Sequence, residues 1–312
     1  MTSTPAIRPM TDADLAAATR IWRLAFAAQF NAPDPERYRH DVRTVETRFA
    51  TYPELCFVAE REGRLLGNII GMDWGGEVVL GPLTVDPACW GRGIARLLTA
   101  RFLEVADARD APLVSLFTFP QSTTHLRLYE SFGFAPMQLT PVLRKEVSLP
   151  TGTAPCGLYR DVPGSHRAAL LGQCRAVSGS MFPDLDLSRE IEAVDRLRLG
   201  DTILLEDDGT VAGFAVCHIG AGEAGGGNLF VKFAAVRPGD AAAFERLLDA
   251  IEAVAAERRM QSITAGINTA RRDAYRRLTV RGYRATIVGV AMHRPDQAGT
   301  LRPDLYVIDD RR

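Results

Sequence analysis

The stretch from Leu83 to Leu98 contains the residues whose types and spacing best suit a chemical role. An apolar run ends in a turn that contains Pro87, and two glycines, Gly91 and Gly93, stand between that turn and an amphipathic helix. Such a turn lets several backbone N–H groups converge on an anion, and the helix N-terminus adds partial positive charge. Glycine permits the approach because a Cβ would obstruct it or forbid a positive φ. The spacing therefore indicates a pyrophosphate-binding turn.

Two cations, Arg92 and Arg96, flank this turn, as they would in a phosphate clamp. A Gly-x-Gly spacing alone is a weak signal, because many strand-to-helix turns contain glycines for steric reasons only. The turn also resembles the acetyl-CoA loop of GNAT acyltransferases, whose pattern is Gln/Arg-x-x-Gly-x-Gly/Ala. Gly93-Ile94-Ala95 fits the last half of that pattern, and Trp90 stands where the pattern has Gln or Arg.

The composition is that of an ordinary globular protein, with 312 residues, 46% hydrophobic and 24% charged. This length predicts two domains. The net charge of −1 gives no support for a nucleic-acid or membrane partner, and no run reaches transmembrane length. The N-terminus lacks the apolar core of a signal peptide. Five cysteines without a Cys-x-x-Cys pair suggest neither a disulfide framework nor a metal site, so we expect a cytoplasmic protein without a metal.

The first half, residues 1–149, has the periodicity of a strand, two helices, three strands, a helix, a strand, a helix and a strand. Trp22, Phe26 and Phe30 recur every four residues, and we interpret this stripe as core rather than as a substrate pocket. A second helix is predicted from Glu36 to Ala50.

A linker over Ser148–Pro155 leads into the second half, residues 154–312, in which the same order of elements recurs. We interpret the chain as an internal duplication. The second copy differs at the chemical positions, because Asp240 follows a single glycine and would repel a phosphate. Leu278 stands where the first half has Tyr129. The second half is therefore expected to keep the fold and to lack the chemistry.

The segment Leu128–Phe134 also resembles the GNAT element that ends in a Gly-Phe pair. The chain is thus identified as a tandem GNAT protein of the α/β (α+β) class, with two GNAT-like domains that each have a central mixed sheet flanked by helices. The resemblance implies an N-acetyltransferase that moves an acetyl group from acetyl-CoA to the amine of a small molecule. Tyr129 matches the tyrosine that protonates the departing thiolate. The cofactor-binding positions it implies are Leu83, Thr84, Val85, Gly91, Arg92, Gly93, Ile94, Ala95 and Arg96.

The resemblance does not supply a general base. In some family members a glutamate on the strand before the glycine turn takes the proton from the amine, but the matching position here is Val79. Glu77 is expected to face solvent from a hairpin turn. His125, one turn before Tyr129, is interpreted as a solvated surface residue.

The end of the chain offers a substitute for that base. Val307-Ile308 is apolar and forms strands readily, so the tail is expected to dock. A docked tail against the first half would lend a carboxylate from Asp309, Asp310 or the terminus. The alternative is a solvated tail end.

Two other functions stay open. The chain is either an enzyme or a catalytically decayed acyl-CoA-binding or scaffold protein, and Tyr129 distinguishes the two because a binder has no use for a general acid. A kinase-like module is disfavoured, because the turn lacks Gly-Lys-Ser/Thr. The expected partner is the small-molecule amine substrate, and the chain is expected to be a monomer or a homodimer.

Overall fold

The structure is a computed structural model that describes residues 4–148, 156–220 and 222–312. Apart from Ser148, the predicted linker lies outside the described residues. In the first half the helices and strands are β1 (Ala6–Pro9), α1 (Leu15–Gln29), α2 (Thr44–Thr51), β2 (Phe57–Arg61), β3 (Arg64–Asp73), β4 (Glu77–Val85), α3 (Ile94–Asp107), β5 (Leu113–Thr118), α4 (Thr123–Glu130) and β6 (Ala135–Glu146). In the second half they are β7 (Gly157–Leu158), α5 (Gly164–Gly179), α6 (Ser188–Arg196), β8 (Gly200–Asp207), β9 (Thr210–Ile219), β10 (Asn228–Val236), α7 (Ala241–Glu257), β11 (Ser262–Gly266), α8 (Arg272–Val280), β12 (Arg284–Arg294) and β13 (Val307–Asp309).

All these strands belong to one mixed sheet, in the order β1-β2-β3-β4-β5-β12-β6-β11-β10-β9-β8-β7, with β13 on β10. Strand β12 pairs antiparallel with β5 of the first half, and β6 pairs antiparallel with β11 of the second half. Each half therefore completes its sheet with the last long strand of the other. The predicted α/β class with two helix-flanked mixed sheets is confirmed, and the exchange of strands joins the two sheets into one.

Strand β4 separates from β5 halfway along its length. The two pair in parallel only over Glu77–Leu80, opposite Leu113–Leu116. Farther on, Leu83–Val85 pairs with β3 on one side. Within the described residues this segment has no strand partner on the side of β5. The sheet thus opens a gap whose one wall is an unpaired strand edge.

Helix α3 holds the glycine turn in place because Ile94, Leu98 and Phe102 are buried along one of its faces. This spacing is that of an amphipathic helix packed against a sheet. Burying a side chain of this size stabilises the fold by roughly 1.5–3 kcal/mol. Gly71 of β3 makes room for the Phe102 ring, since a Cβ there would lie 2.4 Å from it.

Two local predictions are wrong. The predicted helix from Glu36 to Ala50 begins only at Thr44, because residues 36–41 form turns and Arg39 has a φ of 45°, which a helix does not allow. Glu77 does not face solvent: it is the first residue of β4 and is fully buried. Among the described residues no helix combines the length and the hydropathy that crossing a membrane requires.

Candidate active site

The glycine turn has the backbone geometry that its sequence indicates. Gly91 and Gly93 have φ values of 76° and 77°, in the left-handed region that favours glycine. A Cβ at either position would meet nothing within 4 Å, so the backbone angle and not crowding requires glycine. In the described part of the chain, the N–H groups of Gly91, Arg92 and Gly93 have no protein acceptor. Together with the first N–H groups of α3 they are free to donate to an anion, which is what the predicted pyrophosphate-binding role requires.

The two cations of the turn are arranged differently. Arg92 is exposed. Arg96 donates to the Ser131 hydroxyl at 2.9 Å, and its guanidinium lies 5.1 Å from the centre of the Phe132 ring. Trp90, which replaces the Gln or Arg of the pattern, donates its indole N–H to the Val85 carbonyl at 2.8 Å. The indole therefore covers the end of β4, and the arginines remain beside the turn.

All predicted site residues line one cavity of about 740 Å³, which follows the open edge of β4. At one end of this cavity is the glycine turn, and residues of the second half contribute to its wall. The roles assigned to these residues stay predictions. The predicted residues in the wall are Leu83, Thr84, Val85, Gly91, Arg92, Gly93, Ile94, Ala95, Arg96 and Tyr129.

Tyr129 reaches the cavity from α4, where its ring packs edge-on against Phe134 at 6.0 Å between centroids. Burial raises the pKa of the Tyr129 hydroxyl above its ordinary value, so the phenol keeps its proton. No hydrogen bond of this hydroxyl is found among the described residues. A protonated, unengaged phenol at the cavity wall can donate a proton to a bound molecule.

Residues for which the sequence predicts no role in the site also line the cavity. His125 is half-buried, and burial lowers the pKa of its imidazole, so its interpretation as a solvated surface residue is wrong. Trp22 is buried in the core, as expected, but Phe26 and Phe30 of the same stripe border the cavity, and Phe30 is 38% exposed. A helix face toward a pocket has the same periodicity as one toward a core, so the sequence could not distinguish them.

The tail of the chain docks, and it contributes to both halves. Val307–Asp309 pairs with β10, and the Asp310 N–H donates to the Lys232 carbonyl at 3.0 Å. Arg311 is buried and binds Glu77 of the first half at 2.6 Å. Asp310 and Arg312 line the cavity.

Asp309 and Asp310 have different surroundings. Asp309 is buried between the guanidinium groups of Arg271 and Arg311, away from the cavity. Asp310 lies at the cavity, where Arg312 binds its carboxylate at 2.6 Å. Of the two candidate aspartates, only Asp310 borders the cavity, and its side chain is buried with both carboxylate oxygens bound by Arg312.

A buried ionic cluster at the same wall has no signal in the sequence, because its members are far apart in the chain. Arg48 of α2 donates to the Gly81 carbonyl of β4 at 2.5 Å, to Glu223 at 2.8 Å and to the Arg312 carbonyl. Lys232 binds Glu223 at 2.7 Å. Burial acts to raise the pKa of the Glu223 carboxyl, but the charges of Arg48 and Lys232 outweigh it and hold that pKa well below its usual range.

The second half differs from the first at the positions that correspond to the glycine turn and to Tyr129. Asp240 caps α7 by accepting from the Ala243 N–H at 2.8 Å, so a carboxylate occupies the helix N-terminus. The Phe134 N–H donates to the Tyr129 carbonyl, and the Tyr283 N–H donates in the same way to that of Leu278. Leucine therefore stands at the structural position of the tyrosine.

The gap in the sheet of the second half is filled by the chain itself. Strand β13 pairs with Phe233–Ala235 of β10, beyond the point where β10 leaves β11. Gly266 of β11 accommodates this tail, since a Cβ there would lie 3.0 Å from the Asp309 carbonyl oxygen. The edge that is open in the first half is thus covered in the second.

The sequence profile of the acetyltransferase (GNAT) family matches residues 16–134, which include the glycine turn, the open edge of β4 and Tyr129. The chain is similar to the GNAT acetyltransferase family over these residues, which make up less than half of its length. It is 40% identical over 85 residues to a mycothiol acetyltransferase from Thermomonospora curvata, and the match covers 26% of this chain. The matched part of the chain spans only 28% of the length of that relative.

Solved structures share the fold of the whole chain. A putative acetyltransferase from Pyrococcus horikoshii superposes with a TM-score of 0.70 at 17% identity, over 100% of this chain and 96% of that one. A tandem GNAT protein from the clavulanic acid biosynthesis pathway superposes with a TM-score of 0.57 at 14% identity, over 93% and 98% of the two chains. These identities show a common fold only.

Proposed function

We propose that the first half transfers an acetyl group from acetyl-CoA to the amine of a small molecule. The observation that carries this proposal is the open edge of β4 at Leu83–Val85, which runs directly to the glycine turn at Gly91–Gly93. Acetyl-CoA has an extended arm with two amides, which suits an unpaired strand edge, and a pyrophosphate, which suits the N–H groups of the turn.

In this proposal, different groups of the chain act at different steps of the reaction. A backbone N–H of the β4 edge polarises the thioester carbonyl and stabilises the oxyanion that forms when the amine attacks. The new C–N bond replaces the C–S bond, and the thiolate takes a proton from the hydroxyl of Tyr129. A buried phenol that is neutral at neutral pH suits this role.

The amine must lose a proton to react, and we propose that the carboxylate of Asp310 takes it. Val79 is an apolar residue in the core, and Glu223 is bound by two buried cations, which lower its pKa and weaken it as a base. Asp309 is enclosed by arginines away from the cavity. Of the tail positions that the sequence offered, Asp309, Asp310 and the terminus, Asp310 is the aspartate that borders the cavity.

The second half, in this proposal, is a GNAT domain without an acetyl-CoA site. The domains correspond to residues 1–149 and 154–312, apart from the exchanged strands. Asp240 at the N-terminus of α7 disfavours a pyrophosphate, and β13 fills the gap that would receive the extended arm. The second half instead contributes Asp310 and Arg312 to the cavity of the first.

A small-molecule acceptor fits a cavity of about 740 Å³ that is bounded by both halves. The name of the relative from Thermomonospora curvata also points to a small acceptor. We place the reaction in the cytoplasm, where five unpaired cysteines suit a reducing environment.

The test is release of CoA thiol from acetyl-CoA, screened over polyamines, aminoglycosides, amino acids and peptides. We expect release with one of these classes and an acetylated amine by mass spectrometry. The alternative, a decayed acyl-CoA binder, predicts binding of acetyl-CoA without amine-dependent release. In that case Tyr129→Phe would change nothing measurable.

A further inference from the structure

The end of the cavity beyond the β4 edge has a wall of aromatic rings. Phe30 stacks on Tyr38 at 6.3 Å between centroids and meets Phe119 edge-on at 5.5 Å. Phe26 lies 6.4 Å on the other side of Phe30. Although Phe30 is large and apolar, 38% of its surface is exposed, and it faces this cavity. A ligand with an apolar body would cover that surface.

Arg39 stands next to this wall without a direct partner. The side chain is half-buried and lines the cavity, yet no hydrogen bond or ion pair of its guanidinium is found in the described part of the chain. Burial, followed by the nearby charge of Arg312, lowers the pKa of Arg39, although the more distant charges of Asp41 and Asp310 act to raise it. Asp41 does not pair with Arg39, and its carboxylate accepts from the Gly226 N–H at 2.6 Å.

The other charges at this end of the cavity occur in pairs. Arg312 binds Asp310 at 2.6 Å, Arg48 binds Glu223 at 2.8 Å, and Lys232 binds Glu223 at 2.7 Å and Glu190 at 3.2 Å. Arg39, by contrast, is a cation without a carboxylate partner among the described residues, at the end of the cavity that also holds the carboxylate that we propose as the proton acceptor. A half-buried cation of this kind is stabilised by a ligand anion at hydrogen-bonding distance.

We propose that the acceptor is an amine that also carries a carboxylate and a large apolar side chain, as an apolar α-amino acid does, and that Arg39 binds the carboxylate. The reactive form has a neutral amine and an ionised carboxylate, and that carboxylate supplies the partner that Arg39 lacks. Its amine lies toward Asp310, and its side chain lies against Phe30. A phosphate dianion would bring a second charge, and among the described residues no second cation without a carboxylate partner lies at this end of the cavity.

This inference rests on the proposed function, so its test separates the two. We compare L-phenylalanine, L-tryptophan and L-leucine with phenethylamine, tryptamine and isopentylamine, the same amines without the carboxylate. The readouts are kcat and KM for CoA release, and calorimetric binding of each compound to the protein saturated with CoA. The variants are Arg39→Gln, Arg39→Lys and the control Arg37→Gln, which removes a charge from an exposed position of the same loop.

For wild type we expect the amino acids to bind more tightly than the decarboxylated amines. Arg39→Gln should weaken the binding of the amino acids about 10- to 100-fold, the value of a charge-assisted hydrogen bond. It should leave the decarboxylated amines unchanged, and Arg39→Lys should recover part of the loss. Arg37→Gln should behave as wild type.

Equal binding of both members of each pair, or an Arg39→Gln loss that is the same for both, would overturn the inference and leave acetyl transfer to amines standing. Absence of CoA release with every amine would overturn the proposed function. The calorimetric comparison on the CoA complex would still decide whether Arg39 binds a carboxylate.

Discussion

Replacing Arg311 by methionine should destabilise the whole chain, because this arginine joins the tail to the first half. Its guanidinium is 4% exposed and contacts Glu77 at 2.6 and 3.0 Å, Asp309 at 2.9 Å and the Thr300 hydroxyl at 2.9 Å. In Arg311→Met, Asp309 keeps Arg271, but Glu77 keeps only the hydroxyl of Ser115.

Removing one partner of a buried ion pair costs about 3–5 kcal/mol, because the other charge is left without compensation. At roughly 2–4 °C per kcal/mol for chains of about 150–250 residues, the melting temperature should fall by roughly 6–20 °C. The double variant Glu77→Gln, Arg311→Met leaves no uncompensated charge and should recover most of the loss. Thermal and urea unfolding of the three proteins measure this. A single variant as stable as wild type, or no more unstable than the double variant, would refute the reasoning.

Three further results are expected. Tyr129→Phe should lower kcat by roughly 10²-fold with little change in acetyl-CoA affinity, and an unchanged rate would leave water as the proton donor. Gly93→Glu should weaken acetyl-CoA binding by about 10- to 10³-fold, from like charges about 4 Å apart at permittivities between water and a protein surface. Gly239→Glu is the matched control, because Gly239 has the same open surroundings and a φ of 79°. Both variants should lose roughly 1–2 kcal/mol of folding stability. Gly239→Glu should leave the affinity for acetyl-CoA unchanged. Burial and the charge of Lys232 lower the pKa of His218 to about 4, whereas in the unfolded chain the pKa of a histidine is about 6.5. Stability is therefore lost as pH falls from about 6.5 to about 4, by roughly 1.4 kcal/mol per pH unit, and His218→Gln should show a smaller loss in urea titrations at pH 7 and 4.5.

The sequence predicts the parts of the fold that local periodicity determines. The turn at Gly91–Gly93 and the helix after it follow from glycine spacing and an apolar stripe within a few residues of each other. The exchange of β6 and β12 does not follow, because a strand has the same alternation whichever neighbour it pairs with. The burial of Glu77 could not be predicted from the sequence for a related reason, because its partner, Arg311, is more than two hundred residues away in the chain.

Some residues of the candidate site could likewise be predicted from the sequence, and others could not. Leu83–Val85, the turn and Tyr129 lie in one continuous part of the sequence and could be found there. Arg39 and Arg48 could not, because a single arginine in a loop or on a short helix has no distinguishing pattern. Docking of the tail could be predicted from two apolar residues, but its position in the gap of the second half depends on the separation of β10 from β11.

The central proposal is that one half of this chain binds acetyl-CoA and that the other half is closed by its own tail. Calorimetric titration of the full chain with acetyl-CoA, without an amine, tests it most directly. The account predicts one molecule bound per chain, and still one in Gly239→Glu. Two equivalent sites per chain, or a single site that is lost in Gly239→Glu and kept in Gly93→Glu, would contradict it.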